Sequence, residues 1–194
     1  LNDILTRSAD KLMTFVSDVL DLAKIDAGQI ESVLEETPLV DLMGDILAEF
    51  SPLAESKTVA LEIDNQLGKN TYFVDRKALT TIVQNLVGNA VKFTDAGYVR
   101  VHLKEDSYGQ IVIEVCDTGI GIASADHARI FEEFEQADAN ISRTYGGTGL
   151  GMTIVKRTVE HLNGLITVDS RLGDGAKFTV SLPLQIANGQ SQAA

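Results

Sequence analysis

Apolar positions along the chain change period several times, and each change marks an element. Leu1, Leu5, Ser8, Leu12, Phe15, Val19 and Leu22 recur at alternating spacings of four and three, the seam of a heptad pattern. This predicts one helix from residue 1 to about 28, stopped by Asp26-Ala27-Gly28 with Gly28 at its C-terminus. Such a seam has two readings. It packs on the helix's own domain, or it is half of an antiparallel hairpin in a dimeric bundle, since a lone apolar stripe would stay unfilled.

From about residue 31 the pattern is mixed. Ser32–Glu36 reads as a short strand, and Pro38 opens a helix through about Glu55, as proline suits a first turn. Val59–Ile63 and Tyr72–Val74 alternate as strands, and Asp75 is a plausible N-cap for a helix to about Lys92. Strands follow at Tyr98–Lys104 and Gln110–Cys116, divided by the Tyr108-Gly109 turn. A glycine-punctuated segment from Asp117 to Gly147 leads to a helix at Gly149–Leu162. Strands Leu165–Ser170 and Lys177–Leu182, joined through Leu172-Gly173-Asp174-Gly175, form a C-terminal hairpin. Residues 185–194 read as a tail or linker. The expected fold is α/β, in the α+β sense: a two-layer sandwich of a mixed, mostly antiparallel sheet packed on helices, preceded by one long helix.

Composition narrows the partners. The chain has 194 residues, 44% hydrophobic and 23% charged, ordinary for a globular protein. No apolar run approaches the roughly 18 residues that a membrane helix requires. A net charge of −12 without a long basic run argues against nucleic acid. The single Cys116 excludes an internal disulfide and fits a reducing cytoplasm. It lies in the apolar run before Asp117, where a buried structural role is expected. The chain opens at Leu1 inside an amphipathic pattern, so it is expected to be a piece of something larger.

Three segments carry chemistry. Asn85, Asn89 and Lys92 fall at i, i+4 and i+7 on one helix face. An Asn carbonyl is a hard oxygen ligand suited to Mg²⁺, and it adds no negative charge beside phosphates. A solvated polar face explains the same stripe equally well. Asp117-Thr118-Gly119-Ile120-Gly121-Ile122 follows an apolar strand. Its carboxylate can accept a hydrogen bond from an exocyclic amine, and Gly119 and Gly121 permit close backbone approach to a planar ligand. Alone, it is equally a strand-to-loop turn capped by Asp117. In Arg143-Thr144-Tyr145-Gly146-Gly147-Thr148-Gly149-Leu150-Gly151, glycines run into a helix whose first N–H groups suit a phosphate. Arg143 and Thr148 add donors, yet an isolated loop of this type is more often a hinge. It lacks the Gly-Lys-Ser/Thr of a P-loop.

Taken in order, the three segments resemble the histidine kinase catalytic domain of the gyrase, heat-shock-chaperone, histidine-kinase and MutL ATP-binding superfamily. Residues 85–94 are similar to its N box, 117–122 to its G1 box, 130–134 to its F box and 146–151 to its G2 box. The similarity covers about residues 31–184. Residues 1–30, with Asp21–Gly28 at their end, resemble the second helix of a dimerisation and phosphotransfer hairpin. Phe134 to Asp138 and Arg143 to Gly151 are most like the hybrid sensor kinases. The resemblance implies a Bergerat-type ATP-binding fold with ATP and Mg²⁺. Asn89 would be the metal ligand, Asn85 and Lys92 would act on the phosphates, and Asp117 would bind adenine N6. Gly119, Gly121, Phe93 and Ile122 would shape the adenine pocket, with Thr179 at its edge. Arg143, Thr148, Gly149, Leu150 and Gly151 would belong to a lid over the phosphates.

The implied reaction moves the γ-phosphoryl group of Mg-ATP to a histidine on a hairpin helix absent from this sequence. In the superfamily's hydrolytic members a Glu four residues before the metal-binding Asn activates water. Asn85 stands there, and an amide is no general base. His102, His127 and His161 read as ordinary surface or capping residues. The alternative is a catalytically silent nucleotide-binding module. The expected partners are the hairpin domain, a homodimer mate, and a receiver domain or response regulator, all on the cytoplasmic side.

Overall fold

The computed structural model describes residues 2–29, 31–133 and 148–183. Helix α1 (Asn2–Asp26) comes first, and Gly28 just beyond it, with φ of 63°, turns the chain away. Next are strand β1 (Leu34–Pro38), helix α2 (Leu39–Ser56), strands β2 (Val59–Gln66) and β3 (Thr71–Asp75), and helix α3 (Arg76–Phe93). Strands β4 (Gly97–Glu105) and β5 (Ile111–Asp117) follow, then two short 3-10 turns at Ser124–Asp126 and Arg129–Phe131. Helix α4 (Gly151–His161) and strands β6 (Leu165–Ser170) and β7 (Ala176–Leu182) complete the fold.

Five strands make one sheet in the order β2-β4-β5-β7-β6, in which only β2 and β4 run parallel. β1 and β3 pair antiparallel as a separate ribbon. The helices lie against one face of the large sheet, as the sandwich expectation required. α2 presents Leu39, Leu42, Met43, Ile46 and Leu47, and α3 presents Leu79, Ile82, Val83, Leu86, Val87, Ala90 and Val91, each at helical spacing. They meet inward residues of the strands, including Ile111, Ile113, Val115, Phe178 and Val180. Each such Leu, Ile or Val contributes about 1.5–3 kcal/mol by leaving water. The outer face of the sheet is polar. It carries the pairs Arg100–Glu62 at 2.7 Å, His102–Asp64 at 2.8 Å and Lys104–Glu114 at 3.0 Å.

Several boundaries differ from expectation: β1 is shifted two residues on from Ser32–Glu36, β2 runs past Ile63 to Gln66, and two further differences have a plain physical reason. Pro38 ends β1, paired with Thr71, instead of opening the helix, which begins at Leu39. A proline at a strand end sacrifices no ladder hydrogen bond. Helix α4 begins at Gly151, not Gly149, because Gly149 has φ of 75°, outside the right-handed helical region. The N-cap expectation holds: Asp75 Oδ1 accepts from the Ala78 N–H at 2.9 Å. Among the described residues no helix is long and apolar enough to cross a membrane.

The seam of α1 divides. Leu22 is buried with Leu150 and Ile154 of α4, so the C-terminal end packs on the domain. Leu12, Phe15 and Val19 stay exposed.

Candidate functional site

Helix α3 is the spine of the site. Near its middle the Asn85 amide donates to the Thr81 carbonyl at 2.8 Å. Its oxygen faces the start of α4, where a Cβ on Gly151 would lie 2.6 Å from Asn85 Oδ1. Glycine is what lets the two helices come this close. At the other end, the Phe93 carbonyl accepts from the Ile120 N–H at 3.2 Å. A Cβ on Gly119 would sit 2.5 Å from that same carbonyl oxygen. The two contact points are separated by about 12 Å of helix, at 1.5 Å per residue.

Between them stand Asn89 and Lys92, both half-buried. The Asn89 amide makes no hydrogen bond with the described residues, so its oxygen is available. Burial lowers the Lys92 pKa, and its ammonium rests 4.6 Å from the centre of the Phe93 ring. Lys57 closes the helix end, donating to the carbonyls of Val91, Lys92 and Thr94 at 3.1, 2.6 and 3.1 Å. A cation there complements the negative end of the helix dipole.

Asp117 ends β5 and faces the helix side of the sheet. Its Oδ1 accepts from the Gly119 N–H at 2.8 Å and the Ala176 N–H at 3.3 Å. Oδ2 accepts nothing among the described residues, which leaves one carboxylate oxygen for an outside donor. Burial raises the Asp117 pKa, and the two backbone donors partly counter it. Ile122, which leaves the same loop, is half-buried against the core.

Thr148 stands three residues before the start of α4 at Gly151. Its hydroxyl donates to Asp18 Oδ2 of α1 at 2.8 Å and accepts from the Leu150 N–H at 3.2 Å. Burial raises the Asp18 pKa, the Thr148 bond lowers it, and nearby Asp21 raises it again. α4 has no side-chain cap at its start, so its first N–H groups are open to an anion.

The structure thus brings Gly119 and Gly151 against α3, which itself carries Asn85, Asn89, Lys92 and Phe93; Asp117 holds the Gly119 turn, Gly121 lies close to the Arg171 and Gly175 carbonyls, Ile122 is tied to Ser170, and Thr148 meets Asp18 of α1. Leu150 is fully buried, so it packs α4 in place and presents no side chain to a ligand. Arg143 and the glycines 146 and 147 lie outside the described residues. Thr179 is a correction. It pairs with Glu114 and Thr167 on the outer face, whereas Asp117 pairs with Ala176 on the helix face. Strand pleating puts Thr179 behind the sheet from Asp117. The sequence reading missed Ala176, whose contribution is a backbone N–H, and Asp18, which lies off the apolar seam.

The donor set allows a divalent cation. Among the described residues no three His, Cys, Asp or Glu gather to hold a metal. Such an ion would rest on the free Asn89 oxygen and on a ligand's phosphates, which suits hard, partly hydrated Mg²⁺.

A family model described as histidine kinase-, DNA gyrase B-, and HSP90-like ATPase matches residues 74–186. The autoinducer 2 sensor kinase/phosphatase LuxQ of Vibrio parahaemolyticus is 41% identical over 189 residues, covering 94% of this chain and 22% of that protein. The sensor protein GacS of Pseudomonas syringae pv. syringae is 41% identical over 187 residues, 92% of this chain and 20% of its own length. Among solved structures, full-length ShkA in complex with AMPPNP is 34% identical, with a TM-score of 0.86 over 95% of this chain and 38% of that one. The chain therefore spans about a fifth of the curated relatives it matches.

Proposed function

The chain belongs to the histidine kinase-, DNA gyrase B- and HSP90-like ATPase family, on the branch of the two-component sensor kinases, and on that premise we propose that it binds Mg-ATP and passes the γ-phosphoryl group to a histidine on a hairpin helix. The observation that carries this reading is the double contact of α3, with the Asp117 loop at Phe93 and with the start of α4 at Asn85. A base held at one end and a triphosphate at the other would lie along that helix.

In this reading Asp117 Oδ2 accepts from the adenine amine, while Gly119, Gly121, Phe93 and Ile122 wall the base. Asn89 holds the magnesium ion, which when bound offsets charge on the β- and γ-phosphates. Asn85 and Lys92 meet the phosphates from the helix. The Lys92 ammonium, already desolvated, has less water to lose on meeting an anion. Thr148 and the first N–H groups of α4 supply donors from the other side, and Arg143 is a further phosphate donor in this reading. Catalysis here is positioning and charge stabilisation, with no residue activating water, because Asn85 cannot accept a proton. The ShkA complex with a nucleotide analogue supports the same ligand class. The acceptor hairpin, a homodimer mate and a receiver domain or response regulator complete the proposed system, on the cytoplasmic side of a membrane-associated sensor.

The test is phosphoryl transfer itself. The chain is incubated with γ-labelled ATP and a separate hairpin carrying the acceptor histidine. Label on the hairpin that is stable to base and lost in acid is expected. Tight nucleotide binding without any label would favour the silent regulatory module.

A further inference from the structure

Ser170 closes β6, is buried, and has no part in the roles above. Its hydroxyl nevertheless sits where the Asp117 loop meets the turn between β6 and β7. Ser170 Oγ accepts from the Ile122 N–H at 2.8 Å and donates to the Gly175 carbonyl at 2.6 Å. The Gly175 carbonyl and the Ala176 N–H belong to one planar trans peptide, so they point in opposite directions. Drawing the carbonyl to Ser170 turns the N–H toward Asp117, where it bonds Oδ1.

The surrounding contacts leave this arrangement little slack. Gly173 N–H donates to the Ile120 carbonyl at 2.8 Å, a second tie between turn and loop. Gly175 has φ of 76°, and a Cβ there would collide with the Asp117 carbonyl. The turn therefore serves as a jig for the carboxylate, and one hydroxyl grips both parts. With Oδ1 held by the Gly119 and Ala176 amides, the direction of Oδ2 follows from where the Gly175–Ala176 peptide lies.

We propose that Ser170 is a positioning residue that sets nucleobase selectivity, favouring 6-aminopurine over 6-oxopurine nucleotides by orienting Asp117 through the Gly175–Ala176 peptide. This rests on the assignment of Asp117 to the adenine amine. A purely structural Ser170 would weaken all nucleotides alike, because their sugar and phosphates are the same. A positioning Ser170 moves the ratio between bases.

The experiment measures ADP and IDP affinities by calorimetry for the wild type, Ser170→Ala, Ser170→Thr and Asp117→Asn. Amide spectra of the nucleotide-free forms are recorded alongside. Ser170→Ala is expected to weaken ADP about fivefold, one neutral hydrogen bond's worth, with IDP changed less than about twofold. The Gly119, Ile122 and Ala176 amide resonances shift, and Ser170→Thr, which keeps the hydroxyl on a strand residue, restores the ratio. If the alanine variant does not fold, Ser170→Cys, close in volume and a poor donor, takes its place and the same ratio decides. A wild-type preference for ADP that Asp117→Asn abolishes and Ser170→Ala preserves overturns the role of Ser170 alone. A wild type with no preference for ADP overturns the Asp117 assignment, and the Ser170 role with it.

Discussion

In the role proposed for Asp117, the burial that disfavours its charge also makes it a discriminating acceptor. Replacement by Asn tests both effects together. The Asn oxygen keeps the Gly119 and Ala176 donors, so its amino group turns toward the base amine, donor to donor. Loss of a hydrogen bond to a charged group is worth about 1.5–3 kcal/mol, so ADP affinity should fall about 10- to 100-fold. Stability should move the other way. The folded pKa of Asp117 is raised, so its ionised form costs stability at neutral pH, and that cost fades as pH falls through the folded pKa toward the unfolded value. Asp117→Asn should therefore raise the melting temperature at pH 7, with the advantage shrinking in acid. An unchanged difference across pH would remove burial as the cause. Asn89→Asp adds a charge beside the phosphates, where a close like-charge pair costs on the order of 4 kcal/mol at an intermediate dielectric. Mg-ATP affinity should drop by on the order of a thousandfold, with the melting temperature nearly unchanged, as calorimetry would read. The places of Asp117 at a strand end and of Asn89 on a helix face were legible in the sequence because each sits on a regular element, and the roles given to them are proposals. The error at Thr179 was also avoidable. Phe178, Val180 and Leu182 all turn inward, and alternation then sends Thr179 outward.

At the scale of elements, the strands and helices followed from apolar period, and the contact between α1 and α4 did not. Thr148 and Asp18 are 130 positions apart, and no local pattern links them. The heptad seam showed that α1 needed an apolar partner. It could not show that Leu22 finds one in Leu150 and Ile154 while Leu12 and Phe15 remain exposed. With Thr148 in its proposed phosphate role, that contact bears on ligand binding. While Thr148 donates to Asp18, its hydroxyl is engaged, and the Asp18 carboxylate stands near the uncapped start of α4. Asp18→Ala frees the donor and removes a repelling charge, so ADP affinity should rise about two- to fivefold in calorimetry. The gain should be smaller in high salt. No gain at low salt would mean that docked α1 and bound nucleotide do not compete for Thr148.

For the whole molecule, a net charge of −12 poses the question of how a polyanion is held. On the sheet's outer face Glu62 and Glu114 are paired with Arg100 and Lys104, and Asp64 is hydrogen-bonded to His102, away from α3. Along α3 the polar stripe is Asn85, Asn89 and Lys92, with no acidic side chain among the three. The fold thus separates an ion-paired outer face from a neutral-to-basic helix edge, a division that the total charge alone conceals. The most direct test of this convergence follows backbone amide resonances while Mg-ADP is added to the isotopically labelled chain. Nucleotide bound along α3 shifts residues 85–93, 117–122 and 148–151 and leaves Glu114, Thr167 and Thr179 behind the sheet unmoved. Shifts centred on that outer face, with those three segments silent, would contradict it.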